Sequence, residues 1–483
     1  MSEKTCIRLQ SKWVLKRVPA LPVKQTTKDL QAGKARDRSG ILLRPYFITA
    51  HGKGCMSRPN ISLEPQLQTG CKKNILILMS EGGGGHKVAS MAMKEILSPY
   101  YDVDVVSALP NIIHQLDYFT MISRGSFTGD DFYNFLLQRG YHQAVSLLAR
   151  MGLKYMLAKR HQIDKLFQRF LSQSPVKYDM VISTFPYVNC GLALAAQKLN
   201  IPFLVMPTDL DTATFFCGLS QIDFTKGGLL AFALPYEDQD LIKKAFCNFS
   251  LPKDKVYITG FPVRRECLIQ YTDEQMQLMK FKHGLGFDSM VLTLLLGAAG
   301  SDLLHDYAME LFCIDPSLYP KMLEVNICVG RYEKMLTKIK DTMLLAGAQL
   351  VREHRHYITL KSPQGALFHL RRYMKEMVEV MACSNLMITK TGSCTVNEAI
   401  YLGKRLLLDN TENSSARYLQ WENFNVPFVR KHGLGDAFTE LKELNPMIHF
   451  LLKEDLGHPV ASGAFTLPPF DQNLLELVAK MLQ

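Results

Sequence analysis

The chain has 483 residues, 47% of them hydrophobic and 21% charged, with a mean hydropathy near zero. That length is too great for one core and suits two domains, and no apolar run approaches the roughly 18 residues that a membrane-spanning helix needs. The net charge of +11 sits mostly at one end, because residues 1–70 carry 13 Lys and Arg against 4 Asp and Glu. The remainder is close to neutral, which argues against a nucleic-acid-binding surface, and the basic leader suits anionic lipid or a removable segment.

Residues 1–70 hold five prolines and little periodicity, so they are expected to be a mostly disordered leader. Residues 74–80, Asn-Ile-Leu-Ile-Leu-Met-Ser, read as a buried strand. Glu81, four glycines (82–85), His86 and Lys87 follow, and then a helix whose apolar face includes Ala89, Met93, Ile96 and Leu97. Four glycines at a helix start are expected to leave backbone amides uncovered where the dipole favours negative charge. A second strand is predicted at 102–107 and a long helical region at about 130–171. In that region Phe132, Phe135, Leu147, Met151 and Leu157 interleave with Arg139, Arg150, Lys154 and Arg169. Such a pattern can rest on an anionic membrane surface, but a helix pair covering a sheet with a solvated basic face is the favoured reading. Strands at 179–183, 202–206, 229–233 and 256–259 alternate with helices and complete a first doubly wound parallel unit.

A second alternating series is predicted from residue 290, with strands at 290–296, 325–329, 356–360, 386–389 and 405–409. The fold class is therefore α/β, two Rossmann-like doubly wound domains facing a cleft, with ligands at the carboxyl ends of both sheets. The domains are placed at 71–265 and 286–465, with a closing amphipathic helix at 470–483. The eleven cysteines are scattered, with no C-x-x-C pair, so no structural zinc is expected and a reducing compartment suits them.

Several residues stand where chemistry is expected. The loop at 82–87 is not a P-loop, since Lys87 precedes Val88 rather than Ser or Thr, and the dinucleotide fingerprint is broken as well. His86 is the general-base candidate, since a helix N-terminus disfavours imidazolium and the ring should stay neutral and able to accept a proton; the alternative is a histidine that merely hydrogen-bonds the loop backbone. The stretch from Ile388 to Ala399 (ITKTGSCTVNEA) repeats the strand, small-residue turn and helix. Amides near Thr391, Gly392, Ser393 and Thr395 could cradle a diphosphate, with Glu398 accepting from a ribose; Thr395-x-x-Glu398 also spells a capping box. Asp209-Leu210-Asp211 matches a metal-holding D-x-D, but Asp209 reads better as a cleft residue that orients an acceptor, and no metal is expected. Arg331, after the strand at 325–329, reads as a residue pointing into the cleft, with a surface arginine as the alternative.

The motifs GGGGH, PTDLDT (207–212), TGFPVR (259–264), VGR (329–331) and ITKTGSCTVNEAIYLGKRLLL (388–408) come in this order. Together they resemble monogalactosyldiacylglycerol synthases and their relatives in glycosyltransferase family 28, over roughly residues 73–440. The resemblance implies a GT-B fold, an acceptor site on the first domain and a UDP-sugar site on the second. It implies inversion by single displacement with no cofactor, the UDP-sugar being a substrate. It places Gly83, Gly84 and Gly85 at the acceptor and His86 as base or acceptor contact. Thr391, Gly392, Ser393 and Thr395 fall on the diphosphate turn, Glu398 on the ribose, and Glu422, with Gln420 as the alternative, on the sugar. The implied partners are a UDP-sugar, a membrane lipid acceptor such as diacylglycerol and an anionic membrane surface. The implied location is peripheral, at a bacterial inner membrane or plastid envelope. The chain departs from the family's glycine pattern at Gly297-Ala298-Ala299-Gly300 and Ser393-Cys394, and residues 361–368 lack the family's uracil-packing pattern. A UDP-sugar 2-epimerase and a non-catalytic lipid- or nucleotide-binding descendant are the alternatives.

Overall fold

The computed structural model describes residues 72–226, 228–297, 301–455 and 465–483. The basic leader and the Ala298–Gly300 departure lie outside the described residues. A first sheet holds β1 (Asn74–Met79), β2 (Asp102–Ser107), β3 (Met180–Ser183), β4 (Phe203–Val205), β5 (Leu230–Leu234) and β6 (Val256–Ile258). Its order is β2-β1-β3-β4-β5-β6, parallel throughout. Every residue of β3, β4 and β5 is buried, as a parallel sheet covered on both faces requires. The order reverses at β1, whose neighbours continue to opposite sides, so the loops after β1 and β3 frame a crevice.

The second sheet is built from β7 (Met290–Leu295), β8 (Leu323–Cys328), β9 (Gln349–Glu353), β10 (Tyr357–Lys361), β11 (Leu367–Arg371), β12 (Leu386–Lys390), β13 (Arg405–Asp409) and β14 (Gly435–Phe438). Its order is β14-β13-β12-β7-β8-β11-β10-β9, with the reversal at β7 between β8 and β12. This sheet is mixed rather than purely parallel: β10 runs antiparallel to both β9 and β11. The sequence pattern missed β9 and β11 for physical reasons. All five residues of β9 are exposed at the sheet edge, so no apolar period marks it. β11 carries His369 and Arg371, both buried; His369 pairs with Glu324 on β8 and Arg371 Nε donates to Asn326 on β8, while Arg371 Nη1 finds no partner among the described residues.

The antiparallel course of β10 corrects another expectation. The turn at residues 362–366 joins β10 to β11 at the end opposite the carboxyl ends of the parallel strands. Residues 361–368 therefore face away from the cleft, and the loop after β11, with Tyr373, takes the cleft-side position instead.

The long helical region is three helices, Gly129–Gln138, His142–Ala158 and Arg160–Gln173, broken at Gly140 with φ of +71°. The first two do more than cover the first sheet: Leu136 and Val145 pack with Leu419 and Trp421 of the second unit. The closing helix, Phe470–Met481, returns to the first sheet, burying Phe470, Leu474 and Val478 against Ile75, Ile77 and Met93. Among the described residues no helix is long and apolar enough to cross a membrane.

Candidate active site

The chain leaves β1 at Ser80 and must enter the helix Gly85–Leu97 within five residues. Gly83 and Gly84 allow the reversal at φ of +73° and +79°, where an L side chain would cost about 1–2 kcal/mol. The amides expected to be uncovered are in part capped. The Asp130 carboxylate accepts from Ser80 Oγ and from the Glu81 amide, each at 2.7 Å. Ser80 Oγ accepts from the Gly82 amide at 3.0 Å, and Asn134 Oδ1 from that of Gly83 at 2.8 Å. The Gly129–Gln138 helix thus fixes the loop's shape, which makes the loop a wall beside the ligand more than an anion cradle.

His86 opens the helix with Nδ1 2.8 Å from Thr208 Oγ1. The rings of Phe185 and Phe215 lie 6.5 and 6.2 Å from its own. Withdrawal from water pushes the imidazole pKa down to about 4, against a smaller upward pull from the Thr184 backbone. The ring is neutral at pH 7, chiefly through burial rather than through the helix end. Asp209, next to Thr208, is shifted the other way. Burial lifts its carboxyl to about 7; the Ser393 hydrogen bond opposes, while Glu422 and Asp211 reinforce. The second aspartate of the D-x-D turns elsewhere: Asp211 is buried and paired with Lys244 at 2.7 Å. Among the described residues no three His, Cys, Asp or Glu side chains gather where they could hold a metal ion.

On the facing unit β12 ends at Lys390, and the helix Ser393–Tyr401 starts three residues later with Gly392 as its N-cap. Asn425 Nδ2 donates to the Thr391 carbonyl at 2.5 Å and to Ser393 Oγ at 3.1 Å, locking the turn. Because the helix begins at Ser393, Thr395 falls inside its first turn and the capping box does not form; no side chain caps this end. Glu398 instead receives two hydrogen bonds from Arg264, at 2.6 and 2.7 Å. Glu422 is buried and accepts from Thr391 Oγ1 at 3.2 Å and from Ser415, whereas Gln420 is exposed.

The two halves of the site meet directly. The Asp209 carboxyl lies close enough to Ser393 to feel its hydroxyl, and Cys394 Sγ lies 3.5 Å from the Gly85 carbonyl. Tyr236 Oη donates to Asn397 Oδ1 at 2.6 Å. Arg331 stands apart from these contacts, exposed, with its guanidinium 4.8 Å over the Tyr373 ring. Residue reading had assigned no role to Asp130, Asn134, Arg264, Tyr373 or Lys390. Arg264 and Lys390 were inside recognised motifs; the other three carry no local signal, since only the fold brings their elements to the cleft.

Two facing doubly wound units with ligand-side loops meeting between them define the GT-B class. MurG of Acinetobacter baumannii shares the fold, with a TM-score of 0.51 and 13% identity over 84% of this chain and 99% of that one. No family model matches the chain. In sequence it is similar to a processive diacylglycerol beta-glucosyltransferase of Staphylococcus haemolyticus, 21% identical over 80% of this chain and 90% of the relative. It is 22% identical to monogalactosyldiacylglycerol synthase 1 of Arabidopsis thaliana, over 78% of this chain and 64% of that protein. A third relative is the UDP-N-acetylglucosamine–N-acetylmuramyl-(pentapeptide) pyrophosphoryl-undecaprenol N-acetylglucosamine transferase of Treponema denticola, 26% identical over 61% of this chain and 66% of that one. The chain spans just under two thirds of the last two. The resemblance to the monogalactosyldiacylglycerol synthase group of glycosyltransferases thus extends along most of this chain.

Proposed function

We propose that the protein is an inverting glycosyltransferase that moves a hexosyl group from a UDP-sugar to a lipid hydroxyl. Diacylglycerol is the favoured acceptor and galactose the favoured sugar. One observation carries the reading: an acceptor-side pair of titratable groups, His86 and Asp209, faces the Gly392 turn, with Asp209 beside Ser393 and Cys394 Sγ 3.5 Å from the Gly85 carbonyl. Nucleophile activation and leaving-group stabilisation then lie on opposite walls of one cleft.

In this reading the acceptor hydroxyl enters beside Gly83–Gly85 and attacks the sugar's C1. The new O–C1 bond forms as the C1–O bond to the β-phosphate breaks, and its electron pair leaves with UDP. The hydroxyl proton goes to Asp209, whose pKa of about 7 matches neutral conditions better than that of His86 at about 4. Neutral His86, steadied by Thr208, positions the attacking oxygen. Amides at Thr391–Thr395 receive the diphosphate, and Glu422 borders the sugar with Gln420 at the rim. Arg331 and Tyr373 offer a flat face for the base. Glu398 reaches the ribose once Arg264 yields one of its two bonds. The protein works as a peripheral membrane protein on an anionic bilayer.

The test is incubation of the full chain with diacylglycerol liposomes and UDP-galactose, UDP-glucose or UDP-N-acetylglucosamine, with lipid products read by mass spectrometry. A monoglycosyldiacylglycerol is expected. Conversion of a UDP-sugar without lipid would replace the reading with an epimerase, and nucleotide binding without any product would replace it with a non-catalytic descendant.

A further inference from the structure

Lys390 is the last residue of β12, beside the point where the second sheet's strand order reverses. Loops leaving β7 and β12 part there, and the lysine chain lies between them. A methyl group placed on Gly392 would meet Lys390 Cε at 3.4 Å, and one on Gly297 would meet Cε at 3.5 Å and Nζ at 3.9 Å. Those distances are ordinary van der Waals contact, so the lysine chain lies against both glycines, and the φ of +99° at Gly297 is what favours glycine at that edge.

The ammonium there is left over. Asp209, Asp409 and Glu422 approach this region from three segments, yet each is engaged elsewhere. Asp209 lies beside Ser393, Asp409 Oδ1 takes the Thr411 hydroxyl at 2.8 Å, and Glu422 takes Thr391 and Ser415. No hydrogen bond or ion pair from the described residues reaches Lys390 Nζ, although the side chain is half-buried. Its charge is still felt nearby, acting on both His142 and Cys394. A partly desolvated cation without a partner is unfavourable on its own, and it is stabilised when an anion arrives.

We propose that Lys390 binds the diphosphate of the donor and holds the charge of the departing nucleoside diphosphate. As C1–O breaks, negative charge grows on the β-phosphate oxygen, and backbone dipoles at the turn supply only partial positive charge to meet it. Asp409 and Glu422 in the same region would otherwise repel that charge. Lys390 donates hydrogen bonds throughout. The inference rests on the UDP-sugar reading given above.

The experiment is calorimetric titration of the full-length protein with UDP, UMP and uridine, comparing the original chain with Lys390→Met and Lys390→Arg. UDP affinity is expected to fall about 10- to 100-fold in Lys390→Met and to recover in part in Lys390→Arg, while uridine affinity stays unchanged. In turnover, UDP should also inhibit Lys390→Met less strongly. If the original chain binds UDP and Lys390→Met binds it equally well, the assignment to Lys390 falls while the transferase reading stands. An equal loss for uridine would mark a collapsed pocket and would also overturn it. If the original chain binds no UDP at all, the nucleotide-sugar reading itself fails.

Discussion

His86 and Asp209 flank Thr208 and are displaced from their ordinary pKa values by one cause, withdrawal from water, which acts oppositely on a cation and an anion. The folded-state pKa of Asp209, about 7, lies well above the roughly 3.9 of an unfolded aspartate. Its contribution to stability is therefore present below pH ~4 and is lost as pH rises through about 7. For His86 the sign reverses: stability present above its unfolded value near 6.5 is lost as pH falls through about 4. Asp209→Asn should then raise the melting temperature, relative to the original chain, more at pH 8 than at pH 5. In turnover, kcat/KM should climb with pH through an apparent pKa near 7 as the carboxylate forms, and Asp209→Asn should abolish that limb. A limb near 4 that disappears only in His86→Ala would return the proton to His86.

At the scale of elements, the helix His142–Ala158 has two unlike faces. Val145, Ala149 and Met156 are buried, whereas Leu147, Met151 and Tyr155, at four-residue spacing, are 55%, 61% and 44% exposed. Arg150 and Lys154 are exposed beside that stripe. The short helix Tyr118–Ile122 adds exposed Tyr118, Met121 and Ile122. Apolar side chains ringed by cations suit an interface rich in anionic lipid, where burial of the stripe and attraction to headgroups act together. The double variant Leu147→Glu/Met151→Glu is expected to lose most of its co-sedimentation with vesicles containing phosphatidylglycerol, while its UDP affinity is unchanged. Undiminished sedimentation would mean that this stripe is not a membrane contact.

For the whole molecule, the contact that bears most directly on closure is the one between Arg264 and Glu398. It joins the end of the first unit to the first helix after β12, with the Glu398 side chain 6% and the Arg264 side chain 29% exposed. Removing the arginine alone leaves a buried carboxylate without its partner, a loss of about 3 kcal/mol given the partial exposure of Arg264. Denaturant unfolding of Arg264→Met should show that loss, and addition of Glu398→Gln should recover at least half of it, since the stranded charge goes too. Additive losses in the double variant would mean that the pair is not coupled. The same carboxylate is the one assigned to the ribose, so donor binding and the clasp between the units share one group.

Sequence alone determined the alternation of strands and helices, the glycine turn before His86 and the turn at Gly392, because buried parallel strands and tight turns leave dense local signals. The same reading left open whether Glu398 served a cap or a ligand, and it placed residues 361–368 on the cleft. The tertiary structure decided that no cap forms, that β10 runs antiparallel and carries those residues to the far end of the sheet, and that Tyr373 comes to the cleft instead. It also decided that Asp130 and Asn134, some 50 residues downstream, satisfy the glycine loop, and that Arg264 takes Glu398. Such pairings depend on strand order and on the meeting of two units. A contact between residues far apart in the chain leaves no mark on the local spacing of either one.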